Sequence, residues 1–278
     1  MKNKLLLLII CQYLSFYNPL LAIENQAIKD RTLIPVPDPI ESFNNNTSLN
    51  KLLSSQFNND FFQLINFYQP QINPIYCAIA SSVMVINALN YGEINNQESN
   101  QTLNPINNEI IEYKILLQQN FLNEQTDKIK DRDIINFIKP AYRQKISKSW
   151  QNFYDPGLNL EDLSKILIES YQLAVEKIEY KKLDQIDKFR KDLKKILKEP
   201  KAFIIANFDG KLINKATNGH VAPIVAYDQI SDEILILDPA LHKNKWFWIS
   251  LENFAKAMNT KDGENFRGYL IISKKNNK

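Results

Sequence analysis

One stretch constrains this chain more than any other. It runs Gln71-Ile72-Asn73-Pro74-Ile75-Tyr76-Cys77 and continues as Ala78-Ile79-Ala80-Ser81-Ser82-Val83-Met84-Val85-Ile86-Asn87-Ala88-Leu89. Beyond Cys77 nearly every position is apolar, which predicts a buried helix about three turns long. Pro74 suits the loop that approaches it, because its fixed φ and missing N–H are out of place in a helix interior. Cys77 then occupies the first turn, where unpaired N–H groups and the helix dipole favour a negative charge. The thiolate is the reactive form of cysteine. A cysteine on an apolar helix is, however, most often a small buried side chain and nothing more. The rest of the chain has to decide.

The 278 residues allow one large domain or two small ones, with ample core. A formal charge of +3 without a long basic run argues against nucleic-acid binding. Lys2 and Lys4, the run Leu5 to Cys11, and Leu20-Leu21-Ala22 together describe a secretory signal peptide over residues 1–22. Its apolar core is too short for a comfortable membrane span, although an uncleaved anchor stays open as an alternative. Cleavage would take Lys2 and Lys4 with it and no acid, so +3 becomes +1. The expected compartment is periplasmic or extracellular. Only two cysteines exist, Cys11 and Cys77, so the exported chain would carry a single thiol. An odd cysteine in an oxidising compartment calls for pairing between chains or a reactive role.

Residues 23–56 are rich in Asn and Pro and read as a loosely ordered arm. The ordered domain is expected over 57–278. A polar loop is expected at 91–108, a helix from Glu109 to about Asn123, and a charged surface insertion at 124–157. Two amphipathic helices follow, one near 160–167 with Asn159 as N-cap and one at 184–198. Five strands are then predicted at 202–208, 221–227, 233–237, 246–249 and 268–273, with a short helix at 251–258 before the last. Helices first and strands later give an α+β chain with an antiparallel sheet.

The polar link 228–232 predicts a hairpin that brings His220, at the start of one strand, beside Asp238, at the end of the next. That is the geometry of a general base and the carboxylate that orients it. Cys77 on a helix N-terminus, facing such a pair, completes a nucleophilic triad. Gln71 is placed to donate its side-chain amide to an oxyanion beside the Cys77 N–H. Metal binding finds no support, since one Cys and two His lack ligand spacing.

At these residues the chain resembles the phytochelatin synthases. Phe67-Tyr68-Gln69-Pro70-Gln71, Tyr76-Cys77-Ala78-Ile79-Ala80-Ser81, Gly219-His220-Val221-Ala222-Pro223 and Leu235-Ile236-Leu237-Asp238-Pro239-Ala240 carry the likeness. Ala257-Met258-Asn259-Thr260, Arg267-Gly268-Tyr269 and Gln119-Asn120-Phe121 with Glu124-Gln125-Thr126 extend it from about residue 57 to 275. The resemblance implies a papain-like cysteine peptidase fold and an activity on glutathione. Cys77 would release glycine and hold a γ-glutamylcysteinyl thioester, which passes to water or to a second glutathione. It further implies that Asn207, Gly219, Asp262 and Arg267 hold the γ-glutamyl end. No resident cofactor is implied; heavy-metal ions would enter as glutathione thiolates or as activators. Glutathione or a related γ-glutamyl thiol peptide is the expected partner. No nucleic acid and no stable membrane association are expected once the signal is cleaved, and a homodimer is left open.

Ala78 replaces the family's glycine after the cysteine, and Leu241 stands where a basic residue is expected. The Asp262–Arg267 segment is short, and a cysteine-rich C-terminal extension is not expected. With Leu241 in that place, hydrolysis is expected to outrun transfer. Two other readings remain at this stage: a papain-like peptidase of the double-glycine leader type, and a binding protein that keeps the fold without turnover.

Overall fold

The computed structural model describes residues 41–43, 45–90, 99–103, 110–132, 157–199, 201–215, 218–243 and 245–275. Contacts divide the chain into residues 1–36 and Pro37–Lys278, and every described residue lies in the second unit. The expected signal peptide falls outside the described residues, as do the start of the predicted arm and most of the 124–157 insertion. Among the described residues no helix is long and apolar enough to cross a membrane.

In chain order the first part comprises β1 (Glu41–Ser42), α1 (Asn46–Ser54), α2 (Asn59–Leu64), α3 (Cys77–Leu89), β2 (Ser99–Leu103), β3 (Ile110–Lys114) and α4 (Glu124–Asp127). The second comprises α5 (Leu160–Glu169), β4 (Leu173–Glu179), α6 (Ile186–Ile196), β5 (Ala202–Asp209), β6 (Gly219–Asp228), β7 (Glu233–Ile236) and β8 (Phe247–Ser250). It ends with α7 (Leu251–Met258), β9 (Lys261–Asp262), β10 (Asn265–Phe266) and β11 (Gly268–Lys274). Seven strands form one sheet in the order β1-β8-β7-β6-β5-β11-β4, antiparallel throughout. The chain is therefore a mixed α+β protein, as its pattern of elements predicts.

Strand alternation builds two cores, one on each face of the sheet. Phe203, Ile205, Val221, Val225, Leu235, Leu237, Leu270 and Ile272 meet α3 and α5 on one face. Ile204, Ala206, Phe208, Ala222, Ile224, Ile234, Ile236 and Tyr269 meet α6 and α7 on the other. Val225 and Ala226 are neighbours yet share the first face, because the β6–β7 register shifts between Ile224 and Ala226. Such a bulge puts an extra residue on one strand and re-aims the side chains beyond it. Helix α3 is buried nearly all round, from Ala78 to Ile86 without a break. Its polar residues have specific partners: Asn87 makes a two-point bond with the Leu116 backbone, at 3.0 and 2.7 Å. Gly268 opens β11 opposite Glu179 of β4, and a Cβ there would collide with the Ile178 carbonyl oxygen.

Three expectations need correction. Residues 41–56 are not a loose arm: β1 pairs with β8, and α1 buries Leu52 in the first core. Asn45 caps α1 by accepting from the Ser48 N–H at 2.7 Å, so an Asn-rich stretch supplies a helix start here. The predicted helix at 109–123 is instead β3, paired with β2 out of the expected loop, followed by a single turn at Gln118–Asn120. Ile110, Ile111 and Tyr113 favour extended backbone, and with a partner strand available the helical spacing of a few apolar residues loses. Strand β4 carries Glu176, Lys177 and Glu179 at the sheet edge, a charged pattern that hides a strand.

Asp60 in α2 is fully buried, and among the described residues neither carboxyl oxygen has a hydrogen-bond partner. Burial holds its pKa well above the usual carboxylate value. A carboxyl with a raised folded-state pKa contributes stability that is fully present below about pH 4 and drains away as the pH rises. Asp60→Asn should therefore raise Tm at pH 7 and leave it unchanged near pH 4. A fall in Tm at pH 7 in thermal melts would show the carboxylate to be ionised and partnered.

Candidate active site

The start of α3 and the starts and ends of the central strands converge at one end of the sheet. Cys77 is the first residue of α3 and is half-buried. The turn before it closes through Tyr76 N–H to the Asn73 carbonyl at 2.9 Å. Ser81, one turn on, places its Oγ 2.7 Å from the Cys77 carbonyl and 3.2 Å from the Val221 carbonyl. The turn that carries Cys77 is thus tied to the strand residue next to His220.

His220 is 3% exposed, and its Nε2 lies 2.7 Å from Asp238 Oδ1. Cys77 lies near the ring and, with Asp238, favours its protonated form; with Nε2 committed to Asp238, Nδ1 is the nitrogen left for the sulfur. The edge of the ring rests against Phe208, directly across the β5–β6 ladder. Burial alone would pull the imidazole's pKa down. The Asp238 carboxylate and Cys77 outweigh it and push the pKa up to about 10. At neutral pH the ring is then an imidazolium, with both nitrogens acting as donors.

Asp238 is fully buried and also accepts the Ala240 N–H at 2.8 Å. Its backbone is clamped to the loop that leads to Cys77. Tyr68 donates its hydroxyl to the Asp238 carbonyl at 2.8 Å, and the Gln71 N–H donates to the Pro239 carbonyl at 2.9 Å. Gln118, buried, holds that loop from behind by donating to the Pro70 carbonyl at 2.9 Å and accepting from the Ile72 N–H at 3.1 Å. One rigid loop therefore positions both Cys77 and Asp238. Lys215 approaches from the opposite core, its ammonium 3.8 Å from the centre of the Phe247 ring. Burial lowers its pKa to about 8, against the pull of Asp238.

A cavity of about 360 Å³ opens beside Cys77, lined by Gln71, Asn159, Asn207, Gly219, His220 and Asp262, among others. The Gln71 Nε2 donates to the Asn73 carbonyl at 2.9 Å, leaving its second N–H uncommitted among the described residues. Asn207 donates to Asp262 Oδ2 at 3.0 Å and accepts from Arg267 Nη1 at 2.6 Å. Arg267 Nη1 lies 3.1 Å from the same Asp262 oxygen. Arg267 is buried behind Gly219, where a Cβ would stand 2.9 Å from Nη1 and 3.1 Å from Nη2. The bare Cα of Gly219 is what lets the guanidinium come up to the cavity wall.

All eight sequence-predicted site residues thus gather at this end of the sheet, six of them on the cavity wall, with Asp238 and Arg267 standing behind. Sequence reasoning overlooked Tyr68, Gln118, Lys215 and the wall residues Asn159 and Lys243. Only Asn159 carried a signal, as the N-cap of α5, where it accepts the Asp162 N–H at 2.9 Å.

The family model described as phytochelatin synthase matches residues 31–269. The chain is 24% identical over 248 residues to glutathione gamma-glutamylcysteinyltransferase 2 of Arabidopsis thaliana, covering 88% of this chain and 46% of that protein. It is 25% identical over 251 residues to glutathione gamma-glutamylcysteinyltransferase 1 of Lotus japonicus, covering 88% and 42%. The chain spans less than half the length of these relatives. With the matched segment enclosing Cys77, His220 and Asp238, the chain belongs to the phytochelatin synthase family.

Proposed function

We propose that this chain is a cysteine-nucleophile γ-glutamylcysteinyl transferase and peptidase that acts on glutathione, on a papain-like arrangement of helix and sheet. The observation that carries the reading is the line Cys77–His220–Asp238 at the cavity, with the Asn207–Asp262–Arg267 cluster beside it. Glutathione's γ-glutamyl end has both an α-amine and an α-carboxylate. Asp262 suits the first, while Arg267 behind Gly219, with Asn207, suits the second.

The Cys77 thiolate attacks the carbonyl carbon of the Cys–Gly amide. The oxyanion that forms sits within reach of the Cys77 N–H and the free N–H of Gln71. His220, an imidazolium at neutral pH, gives its proton to the glycine nitrogen, the C–N bond breaks and glycine leaves. The γ-glutamylcysteinyl thioester remains on Cys77. Water or a second glutathione then attacks it, His220 takes the incoming proton, and the thiolate is regenerated. Heavy-metal ions enter this scheme as thiolates of the substrate. The N-terminal segment supports export to a periplasmic or extracellular compartment.

Incubating the purified chain with glutathione, with and without Cd²⁺, tests the reading by product mass. Glycine, γ-glutamylcysteine and a phytochelatin product that grows with glutathione concentration are expected. Intact glutathione after prolonged incubation in both arms would overturn it.

A further inference from the structure

We propose that the lysine face of α6, together with Ile230 at the tip of the β6–β7 hairpin, is a docking surface for an anionic phospholipid bilayer. The partner is a lipid surface, so the inference stands apart from the glutathione reading above. The contact is reversible and salt-sensitive, unlike the insertion of an apolar helix.

Helix α6 commits its apolar face to the second core through Phe189, Leu193 and Ile196. Lys191 and Lys195 on the helix, and Lys198 just past it, recur at four and three residues and so line up along one side. All three are exposed, as is Lys201, and none of the four has an acidic partner among the described residues. Residues 191–201 hold five lysines against Asp192 and Glu199, so this short segment carries +3, as much as the whole chain. Asp192 is already engaged, accepting from Lys188 and from the Tyr269 hydroxyl, each at 2.6 Å.

The hairpin turn beside these lysines holds out an isoleucine. Ile230 is 95% exposed, whereas no other large apolar residue among those described exceeds 62%. Arg190 of α6 grips the turn by a two-point bond to Asp232, at 3.0 and 2.9 Å. The Lys198 ammonium lies 4.8 Å from the Phe57 ring, and the Phe57 carbonyl accepts the Tyr227 N–H just before the turn. The turn's own carboxylates are engaged: Asp228 accepts from Ser231, Asp232 from Arg190 and Tyr227, and Glu233 pairs with Lys51. The lysines therefore set the potential around Ile230. That pairing fits a membrane interface, where ammoniums meet lipid phosphates and an apolar side chain enters the headgroup boundary. A nucleic-acid backbone would draw on the lysines alone and leave Ile230 in water.

The surface lies at the end of the sheet away from the cavity. His220 is near the start of β6 and the hairpin turn follows its last residue, Asp228, about 26 Å along the strand. Lys201 likewise precedes the start of β5, while Asn207, near its other end, reaches the cavity. None of the described residues lining the cavity belongs to the lysine face. A chain docked in this way keeps its cavity turned from the lipid and open to substrate.

The test is co-sedimentation of the full chain with vesicles of phosphatidylglycerol and phosphatidylcholine in equal parts, and with phosphatidylcholine alone, at low and high salt. The neutral vesicles account for the N-terminal apolar run, which binds both kinds alike. Partition into the anionic vesicles should exceed that into the neutral ones and fall steeply with salt. The triple variant Lys191→Gln, Lys195→Gln and Lys198→Gln should lower it on the order of 10²-fold, about fivefold per lysine. Ile230→Ser should lower it about tenfold, and arginine at the same three lysine positions should retain it. All these variants should keep the wild-type Tm and wild-type glycine release from glutathione. Equal partition into both kinds of vesicle, or no loss in the glutamine variant, overturns the surface. Tighter binding to duplex DNA than to the anionic vesicles, unmoved by Ile230→Ser, overturns the lipid as its partner. Should the glutamine variant melt early, the salt dependence and Ile230→Ser still decide. Intact glutathione with every variant, the wild-type chain included, would overturn the proposed function and leave this surface standing.

Discussion

Cys77→Ala should abolish glycine release from glutathione, a loss on the order of 10⁶-fold, since triad members act as a unit and nothing substitutes for the nucleophile. The chain's other cysteine, Cys11, lies in the N-terminal apolar run and outside the described residues. No second thiol within the described sheet and helices can take over. The variant should fold, because Cys77 is half-buried at a helix start and alanine removes one atom without opening a core position. His220 and Asp238 keep each other at 2.7 Å without it. Trapping the wild-type chain with glutathione and measuring intact mass should reveal a γ-glutamylcysteinyl adduct that Cys77→Ala lacks. Near-normal glycine release by Cys77→Ala would remove the thioester from the mechanism.

The site's centre was legible in the sequence because local rules decide it. An apolar run after Pro74 can only be a buried helix, so Cys77 must open it. The polar turn at 228–232 fixes the hairpin, and with it the meeting of His220 and Asp238. The bulge between Ile224 and Ala226 shifts the register near that turn but leaves Ile224 opposite Ile236, so the pairing at the far end survives. The cluster of Asn207, Gly219, Asp262 and Arg267 came from resemblance, and no spacing rule would have assembled residues from four segments. What stayed hidden depends on how loops close. Leu241 and Lys243 differ by two positions, and only the Ala240 contacts decide which of them faces the cavity. Tyr68 and Gln118 act through bonds to backbone carbonyls, and a sequence pattern carries no trace of such partners. The hairpin of β2 and β3 was missed because its pairing partner sits in a stretch with no apolar alternation.

Asp238→Asn should fold and lose on the order of 10² to 10⁴ in glycine release, and the reason differs from a simple loss of orientation. Asp238 Oδ1 receives both the His220 Nε2–H and the Ala240 N–H. An asparagine can offer its own Oδ1 to the same two donors, so the geometry is retained. What disappears is the charge. Burial is the largest influence on His220 and pulls its pKa down; the Asp238 carboxylate is the first of those that push it up to about 10. Without that carboxylate the buried ring rests neutral at a far lower pH, and the proton needed by the leaving glycine nitrogen is missing. The sign for stability comes from the same shift. A histidine with a raised folded-state pKa contributes stability that is fully present below about pH 6.5 and is lost as the pH rises through 10. Asp238→Asn should therefore lose its stability advantage at pH 6, and be closest to the wild-type chain above pH 10. Two measurements decide it: a pH–rate profile, in which the wild-type activity should persist well above pH 8 while that of Asp238→Asn falls off earlier, and thermal melts over the same range. Superimposable profiles in the two proteins would mean that Asp238 serves His220 only as an acceptor, and that Cys77 alone keeps the ring charged.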